Sequence, residues 1–250
     1  MTRSKEVSKL KRTHFVLRLI FWLVLTLIAP YSLKAGAKVV VYYDTEIPIK
    51  EREKVLKAYT GEEELIVFAR SKDFHNALNE DSVPVVIAPF SFESEQSDYK
   101  PVIQFGKSGK TAFRYKAITL PGTKINLSNL DAVTWGIIEE GERQKLKGYF
   151  KRTVGINLVK ITTVTKLQDL LPLLVYKSAD AVIIAESDYK RMSDRFGTKT
   201  IEINLKSNEV YYPRVYIKNG TKSEIIAKLE TIDQGSLKSI GFDQVTKVLK

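Results

Sequence analysis

Short apolar runs alternate with amphipathic stretches along most of the chain, and this alternation predicts strands that alternate with helices. In the first third, strands are predicted at 38–43, 64–69 and 83–88, with helices at 48–59 and from Ser71 to Leu78 between them. Gly61 fits the end of the first helix, since glycine commonly follows a helix. This βαβαβ order predicts a parallel sheet covered by helices.

The pattern changes after Pro89, where two strand-like stretches flank a turn rich in glycine and lysine. A second α/β series follows. The two stretches before it are 101–105 and 112–119. The second series has predicted strands at 131–135, 157–162, 179–185 and 200–204, and predicted helices at about 139–151, 167–176 and 189–196. The chain then returns through an extended stretch at 210–217. It is predicted to end with helices from Ser223 to Ile232 and near 242–249.

Two α/β series joined by extended crossovers predict two lobes rather than one continuous sheet. The crossovers are expected near Ile118–Leu120 and Asn204–Val210. Residues 38–118 plus 210–250 would then form lobe 1, and residues 119–209 would form lobe 2. A cleft between lobes is a common place for a ligand.

The first 37 residues have the pattern of an export signal. A basic segment precedes the apolar run Leu19–Ala29, and Ala35-Gly36-Ala37 fits the small residues of a cleavage site. The apolar run is shorter than the roughly 20 residues that a membrane-spanning helix needs. Cleavage after Ala37 would release the protein into the periplasm, whereas an uncleaved segment would anchor it to the membrane.

Charge and composition exclude several classes of function. Residues 1–37 contribute +6 of the net charge of +11, so the remainder carries only +5 and its basicity does not indicate nucleic-acid binding. The chain has no cysteine, which excludes disulfides, thiol nucleophiles and cysteine zinc sites. His75 is the one histidine beyond residue 37. The sequence therefore predicts no catalytic site, no metal site and no cofactor.

Several segments, in order, resemble one family of proteins. Val85–Phe92 is similar to a strand that ends in a ligand-binding loop, and Leu127–Val133 resembles the family pattern L-x-D-L-x-G-x-x-V. Further similar segments are Lys100–Ile103, Tyr115–Thr119, Asp169–Leu174, Ser178–Ile183 and Leu237–Phe242. The chain resembles type 2 periplasmic solute-binding proteins, nearest to the phosphate/phosphonate-type substrate-binding components of ABC transporters.

This resemblance implies a two-lobed, periplasmic-binding-protein-like α/β fold in which each lobe is a mixed, mainly parallel sheet flanked by helices. It implies a protein without catalytic activity that captures a small solute. The expected partners are an ABC transporter permease or a membrane sensor, and the protein is expected to be a monomer.

The sequence departs from the family at the loop after Val133. Phosphonate-type members often have a turn there that is rich in Ser, Thr and Gly and holds an anion at a helix start. In this chain Glu139 and Glu140 stand in that region, and two carboxylates argue against a phosphate-like ligand. A helix-start position also accounts for both, because the helix macrodipole favours negative charge there.

In the family, as in open α/β sheets generally, ligands meet the carboxyl ends of the strands. The resemblance therefore implies ten ligand-binding candidates: Tyr43, Asp44, Ser71, Phe90, Ser91, Phe92, Thr134, Trp135, Thr163 and Glu186. Two of these candidates have an alternative, structural interpretation. Ser91 could be a turn serine between two packing aromatic residues, and Trp135 could be a core residue.

Two other functions remain open from the sequence. An interaction or scaffold protein that retains the fold without a ligand is one, since the first lobe is short and the anion turn is missing. An exported α/β enzyme is the other. It would need two carboxylates facing each other across a cleft, about 5–9 Å apart as in glycosidases.

Overall fold

The computed structural model describes residues 39–61, 65–80, 83–94, 96–141, 143–189, 194 and 199–248. The predicted export signal, residues 1–37, lies outside the described residues, and so does most of the helix predicted at 189–196. None of the helices in the described ranges is long and apolar enough to cross a membrane.

Strands and helices alternate in the described parts as the sequence predicts. The strands are β1 Val39–Val41, β2 Leu65–Val67, β3 Val85–Ala88, β4 Tyr99–Gly106, β5 Ala112–Thr119, β6 Thr134–Ile138, β7 Lys160–Val164, β8 Ala181–Ala185, β9 Ile201–Ile203, β10 Glu209–Tyr211, β11 Arg214–Lys218 and β12 Gln244–Lys247. The α-helices are α1 Ile49–Thr60, α2 Ser71–Glu80, α3 Arg143–Val154, α4 Leu170–Val175, α5 Glu224–Glu230 and α6 Gln234–Ser239.

Hydrogen bonds join the strands into two separate sheets. The first has the order β12-β4-β11-β3-β1-β2, with β1 parallel to β2 and β3, and β11 antiparallel to β3 and β4. The second has the order β10-β5-β8-β6-β7, with β9 also paired to β5. Its central strand β6 is parallel to β7 and β8. The predicted α/β fold with two mixed sheets is therefore confirmed.

Each sheet buries both faces, because side chains alternate between the faces along a strand. In β1, Val39 and Val41 pack in one apolar cluster while Val40 packs in another. In β8, Ile183 belongs to one cluster and Val182 to the opposite one. Continuous apolar runs are therefore expected in these strands, and this is why they were recognisable in the sequence.

Helix α1 covers the first sheet with a face made of Arg52, Leu56 and Thr60. These residues are four apart, so they lie on one side of the helix. Gly61, at a φ of 94°, ends the helix in a backbone conformation that few other residues adopt. The helix therefore closes where the sequence predicts.

Several predicted elements differ in the structure. The helix expected at 139–151 is α3, which begins at Arg143, so Glu139 and Glu140 precede it, and the strand expected at 157–162 is β7 at Lys160–Val164. The strand expected at 131–135 is β6 at Thr134–Ile138, so its carboxyl end falls at Glu139 and Glu140. The last helix, expected near 242–249, is wrong, because β12 lies there and pairs with β4. The helix expected at 167–176 is a 3-10 turn followed by the short α4.

The chain passes between the two sheets twice within the described residues. The first crossing is residues 107–111, between β4 and β5, and the second is residues 212–213, between β10 and β11. The predicted lobe boundaries, 38–118 plus 210–250 and 119–209, place β5 in lobe 1, whereas its hydrogen bonds place it in the second sheet. The lobes as rigid bodies stay a prediction.

Candidate functional site

The two crossings are fixed to each other by buried polar contacts. The Tyr212 N–H donates to Thr111 O at 3.1 Å, and Gln104 Nε2 donates to Tyr212 O at 3.0 Å. The buried Arg214 donates through Nε to Gln104 Oε1 at 2.6 Å. The region in which one sheet gives way to the other is therefore a defined structure and not a loose linker.

A cavity of about 100 Å³ lies beside these crossings and between the two sheets. We call it the aromatic cavity, because nine of its residues carry aromatic side chains: Tyr43, Phe90, Phe113, Tyr115, Tyr149, Phe150, Tyr211, Tyr212 and Phe242. Both sheets contribute to its wall. Its volume is below the roughly 300–1,000 Å³ of common ligand pockets, so it suits a very small solute or part of a larger one.

A few polar groups interrupt the aromatic wall. Lys107 Nζ lies 3.1 Å from Asp188 Oδ1, an ion pair between the first crossing and the end of β8. The Tyr115 and Tyr149 hydroxyls are 3.3 Å apart. Burial raises the pKa of both hydroxyls, and the negative charge of Glu140 raises it further, so both stay protonated near neutral pH.

Three contacts connect the first sheet to the second at the cavity. The Tyr42 hydroxyl donates to Glu139 O at 2.9 Å, and Ser91 Oγ donates to Glu140 Oε2 at 3.3 Å. The Lys107–Asp188 ion pair is the third. The structure therefore has its two sheets close together, with direct polar contacts between them.

A second cavity of about 260 Å³ adjoins the first and shares Tyr43, Asp44, Thr45 and Leu167 with it. We call it the α1 pocket, because one wall is the loop that leads into α1 and the first turns of that helix, including Arg52. The opposite wall is residues 165–168, which follow β7 in the second sheet. Both cavities thus lie at the carboxyl ends of parallel strands.

Four of the ten sequence candidates lie at or near these openings, and a fifth lines a separate groove. Tyr43 and Asp44 line both cavities, and Phe90 lines the aromatic cavity. Ser91 is buried and contacts the wall through Glu140. Glu186 lies apart from them, in an open groove of about 730 Å³ next to the first crossing.

The other five candidates line neither cavity: Ser71, Phe92, Thr134, Trp135 and Thr163. Phe92 packs on Tyr216 with ring centroids 4.9 Å apart, and Ser71 lies 3.2 Å from His75 Nδ1. Thr163 is exposed on β7.

Thr134 and Trp135 are the first residues of β6 and not the last, so they lie at the end of the strand that is opposite to the cavities. Trp135 is fully buried, and its indole N–H lies 3.4 Å from Leu130 O. This burial agrees with the alternative interpretation, in which Trp135 is a core residue. The ligand-binding assignments themselves stay predictions.

Several lining residues were not predicted. Glu140 lies two residues beyond the end of β6 and would have been found if the strand end had been placed correctly. Arg52 carried a sequence signal, because a charged residue occupies the apolar face of α1. Lys107 and Tyr149 carried none, since a crossing turn and a helix bring them to the cavity from other parts of the fold.

The described residues contain no group of three or more His, Asp or Glu side chains that could hold a metal ion. The arrangement offers aromatic surfaces, hydroxyls, one lysine and several carboxylates. Such groups recognise a solute through packing and hydrogen bonds.

The fold is that of type 2 periplasmic solute-binding proteins. A Xanthomonas citri protein bound to chloride ion is similar to this chain with a TM-score of 0.63 and 13% identity, over 85% of this chain and 92% of that one. PhnD1 from Prochlorococcus marinus in complex with methylphosphonate has a TM-score of 0.62 and 10% identity, over 86% and 93%. A binding-protein component of an ABC phosphonate transporter from Pseudomonas aeruginosa has a TM-score of 0.59 and 11% identity, over 84% and 80%.

Identities this low establish the fold and not the ligand. No protein-family model matches the sequence, and no curated protein sequence matches it.

Proposed function

We propose that this chain is a solute-binding protein that captures a small molecule between two hinged lobes. One observation carries the proposal: two adjoining cavities lie between the sheets, at the carboxyl ends of parallel strands from both of them. In open α/β folds this is where ligands bind. The similar solved structures include substrate-binding components of transporters, which supports the same function.

In this proposal the crossings at 107–111 and 212–213 act as the hinge. The contacts from Tyr42 and Ser91 to the second sheet stabilise a closed arrangement of the lobes, in which a solute would be enclosed. Domain closure about a few connecting residues is the common motion of two-lobed binding proteins.

The proposed protein acts outside the cytoplasm. The signal-like residues 1–37 support export to the periplasm, and the similar proteins named above support delivery of the solute to an ABC transporter permease or a membrane sensor. We propose that it works as a monomer and catalyses no reaction.

A thermal-shift screen of the full chain against anions, amino acids, vitamins and sugars tests the proposal. At least one solute should raise the melting temperature. Ala185→Phe should remove that shift, because Ala185 lines the aromatic cavity. Ala132→Phe, at an exposed position in a 3-10 turn, is the matched control and should keep it. No shift with any solute would contradict the proposal.

The small aromatic cavity favours a second candidate, an interaction or scaffold protein that retains the fold without a ligand. A wall of aromatic side chains around about 100 Å³ leaves little room for a solute. This candidate predicts that a partner protein remains bound to the full chain through purification. It also predicts that Ala185→Phe changes neither the partner nor the response to the solute library.

A further inference from the structure

Helix α1 starts without a side-chain cap. Pro48 is its N-cap residue and has no side chain that can accept a hydrogen bond, while Pro48 O receives the N–H groups of Glu51 and Arg52. The first N–H groups of a helix need partners, and together with the helix dipole they attract negative charge. This helix start forms part of the wall of the α1 pocket.

A buried arginine lines the same pocket. Arg52 is only 4% exposed, and its Nη1 donates to Tyr43 O at 3.1 Å. Its Nε is buried and has no hydrogen-bond partner. A guanidinium has five N–H donors, and a buried one without an anion is costly.

The Tyr43 ring accounts for only part of this burial. The Arg52 guanidinium carbon lies 5.0 Å from the centroid of that ring, which stabilises the charge without satisfying its N–H donors. If Arg52 only fixed the chain just beyond β1, the hydrogen bond from its Nη1 to Tyr43 O would be sufficient. The remaining donors fit an oxygen-bearing anion.

We propose that Arg52 and the first turn of α1 hold a carboxylate group of the solute in the α1 pocket. The inference rests on the proposed function and adds to it a class of ligand and the residue that selects it. The guanidinium fork matches the two oxygens of a carboxylate.

The charged residues around the α1 pocket are expected to favour a ligand that carries a single negative charge. Asp44 and Glu46 line the pocket together with Arg52 and Lys166, so the wall is formally neutral. A monoanion is attracted by Arg52, whereas the second charge of a phosphonate or phosphate dianion is repelled by the two carboxylates. This pocket is therefore expected to prefer carboxylates, in contrast to an anion site made of hydroxyls and N–H groups alone.

NMR of the arginine side chains in the full chain tests the inference directly. Sodium propionate should shift the Arg52 guanidinium N–H signals in a saturable way, because the guanidinium gains a hydrogen bond to the carboxylate. Methylphosphonate should need about tenfold higher concentration, and sodium chloride at equal ionic strength should have no effect. These measurements use the unsubstituted protein, so they stand even if an Arg52 variant does not fold.

Substitution of Arg52 provides a second, independent test. Arg52→Gln should weaken propionate binding by about 10- to 100-fold, the loss expected for a charge-assisted hydrogen bond, and Arg52→Lys should lie between. Arg70→Gln removes an exposed arginine that pairs with Asp73 and should leave binding unchanged.

The outcomes separate this inference from the proposed function. If solutes from the library bind while propionate leaves the Arg52 signal unmoved, the carboxylate site is overturned and solute binding stands. Equal or tighter binding of methylphosphonate would overturn the preference for a single charge. If neither propionate nor any library solute binds, both the inference and the proposed function are overturned.

Discussion

The Tyr42 hydroxyl, just beyond β1, donates a 2.9 Å hydrogen bond to the backbone carbonyl of Glu139, just beyond β6. The donor belongs to the first sheet and the acceptor to the second, so one bond spans the cleft between residues 97 positions apart. Because the acceptor is a backbone atom, the contact depends on the position of the β6 strand end and not on the Glu139 side chain.

Tyr42→Phe should loosen the closed arrangement, since it removes this bond and leaves the ring packed against Phe74. The expected loss of stability is about 1 kcal/mol. The chain has no cysteine, so spin labels at Lys72→Cys and Gln144→Cys report the distance between the sheets. That distance distribution should broaden towards longer values.

Tyr99→Phe is the matched control for the same measurement. Its hydroxyl also donates to a backbone carbonyl, that of Val83 at 2.7 Å, but both residues belong to the first sheet. The control should lose similar stability with an unchanged label distance. Equal broadening in both variants would show that the Tyr42 contact does not hold the lobes together.

Gly136→Ala should destabilise the second sheet. A Cβ at Gly136 would come within 2.7 Å of Val182 Cγ1 and 2.8 Å of Leu173 Cδ1, so α4 and β8 would have to move. Overpacking of this kind costs about 1–3 kcal/mol, measured by urea unfolding. The double variant Gly136→Ala/Leu173→Ala should lose less than the sum of the single losses, because one of the two clashes is gone.

Gly148→Ala, in α3, is the control for that substitution. There the nearest atom to a new Cβ is Arg152 Nη1 at 3.5 Å, an ordinary contact. Replacement of a helix glycine by alanine should stabilise the protein by about 0.5–1 kcal/mol. A loss at Gly148 as large as the loss at Gly136 would contradict the packing explanation.

Alkaline pH should unfold the protein through its buried tyrosines. Burial raises the pKa of at least seven hydroxyls in the described part of the folded protein, namely Tyr99, Tyr212 and the more deeply buried Tyr42, Tyr43, Tyr115, Tyr149 and Tyr216. In the unfolded chain they ionise near pH 10. Above that pH the folded state binds more protons than the unfolded state, so the tyrosine contribution to stability is constant below about pH 9 and falls above about pH 10.

The slope should approach about 1.4 kcal/mol per pH unit for each buried tyrosine. Urea unfolding between pH 8 and pH 11 measures it, and absorbance at about 295 nm follows phenolate formation. Ionisation of all the tyrosines near pH 10 in a folded protein would contradict the prediction.

Trp135→Ala decides between the two interpretations of that residue. The side chain is fully buried beside β6, so its loss should cost about 3–5 kcal/mol through the cavity it leaves. Ligand affinity of the folded fraction should stay unchanged, because Trp135 lines neither cavity. A loss of affinity at unchanged stability would instead support stacking on a ligand.

The sequence predicted the elements whose pattern is unambiguous. The alternation in 112–119 matches β5 residue for residue, and the fold class follows from the order of such elements. β12 was missed because a four-residue strand of mixed polarity shows no period, and only its pairing with β4 makes it a strand.

The residues that line the cleft were predictable only in part, because some of them do not follow a strand that the sequence defines clearly. Tyr43, Asp44 and Phe90 follow clear strands, so the strand-end rule found them. Glu140 was not predicted to line the cavity, because the predicted position of β6 was three residues too early. Arg52 and Lys107 reach the cavities from a helix and a crossing, and their positions depend on how whole elements pack.

The pairing of Ala112 with Tyr211 has a further consequence. One is the first residue of β5 and the other the last of β10, so the chain enters and leaves the second sheet at neighbouring points, with Cα atoms about 5 Å apart. Residues 112–211 are thus a continuous module with adjacent ends. Exchange of this segment as one piece would therefore need only two junctions, which lie side by side.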